Sequence, residues 1–282
     1  MAQRKIGTVV HKELVSQTLM RFRLQPEPDG RFPDYQAGQY IALRRNDCKL
    51  TRKRGVAPDG KPIFEPEVDP WGRQTVGPVT HSYSIASAPS ETAEQQWLEF
   101  FVALEYGFHG LPGRLSEALF GMSPETSCEV TYYDRIAGTF TLSARAEGLE
   151  SVLFVGTGTG VAPFVSMVKE LHAQGGGGDP RRYTLLHTNR TVAELGYHDA
   201  LFEIEAAGRF DFMYVPTVSR PSKHAGVDKR IGQGRASNVL RHIFDLPTTE
   251  DDKLTNAVGE VARVAAGLAL ERLVHPVLPV HL

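Results

Sequence analysis

The run Val152-Leu153-Phe154-Val155-Gly156-Thr157-Gly158-Thr159-Gly160-Val161-Ala162-Pro163-Phe164 constrains this chain more than any other segment, because an apolar strand passes through a glycine-rich turn into a helix. Glycines let the chain turn tightly and let a ligand approach the backbone. The free N–H groups and dipole at the start of the helix favour an anion, above all a phosphate. Pro163 suits the first helical turn, where no N–H is needed. Phe164, Met167, Val168 and Leu171 then recur at helical spacing, an apolar stripe to lay on a sheet. The turn departs from the ordinary dinucleotide fingerprint, because Val161 stands where that pattern has its third glycine. Taken alone it also fits a tight strand-to-helix connection that binds nothing.

The two halves of the chain follow different patterns. Runs at 6–11, 19–24, 39–43, 81–86 and 97–106 are rich in β-formers and separated by Pro, Gly and Asp clusters, which predicts an antiparallel barrel or sandwich. From Ser151 onward, strand-like runs (152–155, 183–187, 210–218) alternate with helical ones (163–173, 192–206, 236–244), as a parallel sheet with crossover helices requires. The fold class is therefore a β domain followed by an α/β domain, residues 1–145 and 149–282, with a polar boundary near 144–149 that includes Gly148. A chain of 282 residues, 41% hydrophobic and 23% charged, is long enough for two such cores. A formal charge of −2 argues against a general nucleic-acid binder. No long apolar run suggests a signal peptide or membrane span, so the expected location is the cytoplasm. Cys48 and Cys128 are too few for a four-thiolate cluster and lack metal-like spacing, so free thiols and no metal site are expected.

Two further segments carry chemistry. In His81-Ser82-Tyr83-Ser84-Ile85-Ala86-Ser87, alternation places His81, Tyr83 and Ile85 on one side of a strand and Ser82 and Ser84 on the other. An aromatic face beside hydroxyl groups suits a flat heteroaromatic ring, though a barrel strand with a core tyrosine looks the same. About thirty residues on, Gly110-Leu111-Pro112-Gly113-Arg114-Leu115-Ser116 is a glycine turn leading into a helix, a second phosphate cradle. Residues 44–54 hold six cations (Arg44, Arg45, Lys49, Arg52, Lys53, Arg54) at the start of a long irregular stretch reaching His81. They are either a landing site for an acidic protein or a solvated loop balanced by Glu65, Glu67 and Asp69.

With these segments in order, the chain resembles the ferredoxin–NADP reductase family of flavoproteins. The resemblance rests on Tyr83-Ser84-Ile85-Ala86-Ser87, Gly113-Arg114-Leu115-Ser116, Gly138-Thr139-Phe140, the 156–163 turn and Ser219-Arg220, kept in family order across roughly residues 5 to 245. It implies FAD on an N-terminal β-barrel and NADPH on the C-terminal α/β domain. It also implies hydride transfer from NADPH to FAD and single-electron transfer to a small protein such as ferredoxin or flavodoxin. Carried over by position, Tyr83 stacks on the isoalloxazine and Ser84 bonds near its N5, with His81 and Ser82 beside them. Arg114, Leu115 and Ser116, after Gly113, hold the FAD pyrophosphate. Thr157 lies where the nicotinamide arrives, and Gly158, Thr159, Gly160 and Pro163 form the coenzyme turn. Ser219 and Arg220 bind the adenosine 2′-phosphate, joined by Arg235, and Arg190 matches a further family arginine near the phosphates. Arginine's planar fork fits phosphate, and at about 1.5–3 kcal/mol per charged hydrogen bond this set favours NADPH over NADH by roughly a hundredfold.

Two departures stand out. The family's arginine for the flavin pyrophosphate is replaced by His81, which is charged only when protonated. After Pro247 there is no cysteine, no aromatic residue follows Phe244, and 257–273 reads as an amphipathic helix in place of the family's closing strand and Cys-Gly pair. Rival functions are therefore a reductase component of an oxygenase or larger electron-transfer complex, and a flavin-binding module that has lost turnover.

Overall fold

The computed structural model describes residues 2–107, 110–125, 127–175, 178–220, 228, 230–244 and 246. The atypical segment after Pro247, with its expected helix at 257–273, lies outside the described residues. By internal contacts the chain divides into Met1–Gly138 and Thr139–Leu282. Residues 139–145, expected at the end of the first domain, thus group with the second.

In the first unit the chain runs through β1 (Arg4–Ser16), β2 (Leu19–Pro26), β3 (Tyr40–Lys49), β4 (Thr51–Val56), β5 (Pro62–Pro66), β6 (Val76–Ser84), α1 (Pro89–Gln95), β7 (Leu98–Ala103), α2 (Arg114–Phe120) and β8 (Glu129–Ala137). Six strands form one antiparallel sheet in the order β6-β3-β8-β1-β2-β7, curled into a half-barrel. Period-two alternation points one side of each strand inward. Met20, Phe22 and Leu24 on β2, Ile41 and Leu43 on β3, and Val130 and Tyr132 on β8 build a shared core with Leu115 and Leu119 of α2. The helix lies against β3 and β6. Arg45 continues the inward side of β3 and is buried all the same. It survives there because Asp47 pairs with its guanidinium, which also donates to the carbonyls of Ser127 (3.3 Å) and Glu129 (2.7 Å).

The stretch between Leu43 and His81, expected to be irregular, is mostly ordered into strands. β3 continues to Lys49, β4 and β5 form a separate antiparallel hairpin, and β6 starts at Val76. Thr and Val positions among the cations supply enough β-formers for pairing, which the charge pattern had masked. Most of the basic run has partners in its own unit, two of its arginines within the hairpin. Lys49 pairs with Glu117 (2.6 Å), Arg52 and Arg54 share Glu65 (2.8 and 3.7 Å), and Arg44 donates to Asn46 (3.0 Å).

In the second unit follow α3 (Leu142–Arg145), β9 (Ser151–Thr157), α4 (Ala162–Ala173), β10 (Arg182–Asn189), α5 (His198–Ala207), β11 (Phe212–Val218), β12 (Gly232–Gln233) and α6 (Ala236–Ile243). The parallel order is β12-β11-β10-β9. β10 lies between two neighbours and is buried along almost its whole length, as its unbroken apolar and small-polar run requires. The helix expected over 192–206 is split. Thr191 and Glu194 form a capping box around a short 3₁₀ turn, Val192–Glu194, and α5 begins only after Gly196.

Candidate functional site

The first unit places Tyr83 and Ser84 at the end of β6, opposite Ile41 and Tyr40 of β3. Tyr83 is half-buried and packs on the barrel core beside buried Ile85, whereas His81 and Ser82 are exposed. Burial, reinforced by the Cys48 thiol, pushes the Tyr83 hydroxyl well above its ordinary pKa, so it remains a neutral phenol. Gly138 closes this corner from β8. Its φ is +110°, and a Cβ there would sit 3.0 Å from the Tyr40 ring. Gln39 binds both strands, donating to the Gly138 carbonyl (2.9 Å) and accepting from the Ile85 amide (3.0 Å).

Gly113 is the N-cap of α2, and Arg114 its first residue. The Ser116 hydroxyl donates to the Gly113 carbonyl at 3.0 Å, and a Cβ on Gly113 would strike that hydroxyl at 2.6 Å. Leu115 is 1% exposed, so it can offer a ligand no more than its backbone. Arg114 is half-buried and makes no hydrogen bond or ion pair to a described residue. Because α2 packs on β3 and β6, the structure brings the Gly113–Ser116 turn and the β6 residues to one side of the sheet. Cys48, fully buried beneath them, has its thiol pushed up to about 11 by burial and Asp47, against the smaller pull of Arg45 and Arg114. It is an inert core thiol.

In the second unit every expected coenzyme residue lies at or just after the C-terminal end of a parallel strand, except Pro163, which is buried in the first turn of α4. That is the end at which open α/β sheets take ligands. Exposed Thr157 ends β9, and residues Gly158–Val161 form a 3₁₀ turn that feeds α4. A Cβ on Gly156 would lie 2.8 Å from Val161 Cα, Gly158 takes φ +54°, and no atom of a described residue lies within 4 Å of a Cβ on Gly160. Arg190 follows β10, Ser219 and Arg220 follow β11, and Arg235 caps α6 after β12; the three arginines are exposed. Backbone bonds hold these turns in register, from the Ser219 amide to the Asn189 carbonyl (2.9 Å), from Arg220 to Arg190 (2.7 Å) and from Gly234 to Val218 (2.9 Å).

Sequence reasoning missed the residues that fix this geometry. The Glu194 carboxylate accepts from the amides of Arg190 (3.0 Å) and Thr191 (3.1 Å), and Asn189 Nδ2 donates to the Glu194 carbonyl at 2.6 Å. The Thr191-x-x-Glu194 spacing was the available signal, a capping box. Below the site, buried His187 sets Nδ1 3.0 Å from the Tyr214 hydroxyl.

Comparison with known proteins agrees with this architecture. Residues 154–259 match the family model for the oxidoreductase NAD-binding domain. The chain is 27% identical over 238 residues to the ferredoxin–NADP reductase of Azotobacter vinelandii, covering 79% of this chain and 69% of that protein. Among solved structures it is similar to a Neisseria gonorrhoeae ferredoxin NADP+ reductase with bound FAD and NADP (TM-score 0.55, 18% identity, 97% of this chain and 92% of that one). It is also similar to an Amycolatopsis cytochrome P450 reductase (TM-score 0.57, 19% identity, 96% and 66%).

Proposed function

We infer, for a chain that is a ferredoxin–NADP reductase-like flavoenzyme using FAD and NAD(P)H, that NADPH is the hydride donor and a small ferredoxin- or flavodoxin-like protein the electron acceptor. The observation that carries this is the collection of turns at the strand ends of the second unit. An open glycine turn at 158–160 stands in line with Arg190, Ser219, Arg220 and Arg235, the donors that a 2′-phosphorylated dinucleotide needs. The space around Gly160 fits a pyrophosphate, since no described atom would touch even a methyl group there.

On the first unit, Tyr83 offers a neutral aromatic face, Ser84 a hydroxyl, and Arg114 a guanidinium with no hydrogen bond to a described residue, beside the Gly113–Ser116 turn. Leu115 contributes its amide, and Ser116 its hydroxyl once that group turns from the Gly113 carbonyl, while Ser82 and His81 line the exposed stretch of β6. This set suits a flavin ring with its phosphates. Bound FAD supplies two-electron acceptance and one-electron release, and the protein supplies orientation and electrostatics. None of these residues need move a proton, so Tyr83, Ser84 and Thr157 are positioning groups. The similarity to the Azotobacter vinelandii ferredoxin–NADP reductase supports the choice of a ferredoxin-type acceptor.

The experiment is an absorbance spectrum of the purified protein before and after anaerobic addition of NADPH. A flavin band near 450 nm that bleaches is the expected outcome. A band that persists refutes NADPH oxidation, and colourless protein that takes up no FAD refutes the flavin site.

A further inference from the structure

Asn189 ends β10, between the glycine turn after β9 and the Ser219–Arg220 turn after β11. Register makes this specific. Thr188 pairs with Thr157 and Asn189 with Val218, so Asn189 stands level with Gly158 on one side and just before Ser219 on the other. The residue is 9% exposed. Its amide orientation is fixed, because Nδ2 donates to a carbonyl, that of Glu194 at 2.6 Å. Oδ1 is thereby turned toward the glycine turn, 3.9 Å from where a Cβ of Gly158 would lie, and makes no hydrogen bond to a described residue. That oxygen remains open on the side of the turn, so it can accept from a hydroxyl group of a ligand in place of water. Phosphate oxygens cannot supply that donor.

Neighbouring strands are about 4.8 Å apart, so the turns after β9 and β11 are separated by roughly 10 Å, with Asn189 midway. A dinucleotide with its pyrophosphate over Gly158–Gly160 and its 2′-phosphate at Ser219 and Arg220 must lay its adenosine ribose across that gap. In a 2′-phosphorylated ribose the free hydroxyl is the 3′. We propose that Asn189 Oδ1 accepts a hydrogen bond from the 3′-hydroxyl of the adenosine ribose, making Asn189 a coenzyme-binding residue held in place by Glu194. This rests on the assignment of the two turns to the coenzyme phosphates.

The test is calorimetric titration of the full chain with 2′,5′-ADP and with its 3′-deoxy counterpart, for wild type, Asn189→Ala and Asn189→Leu. Wild type should bind the deoxy compound about three- to tenfold more weakly, the range of one net hydrogen bond. Both variants bind either compound less well, since the Glu194 tie is lost, but they no longer distinguish the two. Equal binding of the two compounds by wild type overturns the proposal while the phosphate assignment stands, and that arm requires no variant to fold. Discrimination that survives in a folded variant overturns it too. Failure of wild type to bind 2′,5′-ADP at all overturns the phosphate assignment and the proposal with it.

Discussion

Alanine at Gly156 and at Gly160 should separate packing from ligand binding within a single turn. A Cβ on Gly156 would lie 2.8 Å from Val161 Cα and 3.0 Å from its Cβ, at least 0.4 Å inside ordinary contact at 3.4 Å. The opposing atoms belong to the backbone and a β-branched side chain, so no rotamer relieves them. Overpacking of this kind costs about 1–3 kcal/mol. For a unit of this size, at about 2–4 °C per kcal/mol, the unfolding midpoint should fall by roughly 2–12 °C. Gly160 is the opposite case, with no atom of a described residue within 4 Å and no positive φ. There alanine removes unfolded-state freedom and should leave stability unchanged or raise it by about 0.4–1 kcal/mol. Its methyl group nonetheless fills the space assigned to the pyrophosphate, and NADP+ affinity should drop at least about tenfold, or 1.4 kcal/mol. Scanning calorimetry and NADP+ titration read the two effects separately. A Gly160→Ala protein that binds NADP+ like wild type would show that the turn holds no phosphate, and an unchanged midpoint in Gly156→Ala would refute the close approach of Val161.

Three other outcomes are expected. Burial, aided by the neighbouring His198, holds His187 neutral and depresses its pKa from 6.5 to about 3, so the unfolded chain takes up the proton first as pH falls. Stability from this residue is present above pH 6.5 and is lost toward pH 3 by up to about 1.4 kcal/mol per pH unit, and urea unfolding of His187→Gln should show a flatter acid limb. Arg220→Ala with Arg235→Ala should raise the Michaelis constant for NADPH by about tenfold or more while leaving that for NADH nearly unchanged; equal losses in steady-state assays with both coenzymes would remove the 2′-phosphate from these arginines. Arg45→Leu should cost about 2–3 kcal/mol in a denaturant titration, because the Ser127 and Glu129 carbonyls lose their donor and Asp47 its partner, and a change below 0.5 kcal/mol would show those bonds to be dispensable.

Much of the fold was legible because burial imposes periodicity. Met20, Phe22 and Leu24 alternate, as do Ile41 and Leu43, while Ala236, Val239, Leu240 and Ile243 keep a helical period that lays α6 on Leu186 and Val215. Where charge interrupted the pattern, strands went unseen: β8 with Tyr132 inward among polar neighbours, and the β4–β5 hairpin hidden in a basic run. The candidate coenzyme residues were legible as types, and the structure places most of those in the second unit at strand ends. Their supports were not, because Asn189 reaches Glu194 through a backbone carbonyl and Gln39 reaches Gly138 across 99 positions, and neither contact leaves a spacing that sequence displays.

The glycine turn shows why a motif match and a site differ physically. In the usual fingerprint the third glycine gives close packing between helix and strand, and Val161 in its place argued against that pattern. The structure places the concession on the other partner: Val161 is fully buried against Gly156, whose missing side chain admits it. Gly158 then supplies a left-handed φ, and Gly160 leaves room. Packing, conformation and open space thus fall to three different glycines in five residues. A valine that looked like a departure from a dinucleotide site is therefore compatible with one, because what the geometry requires is one absent Cβ at the strand–helix crossing, on either side of it.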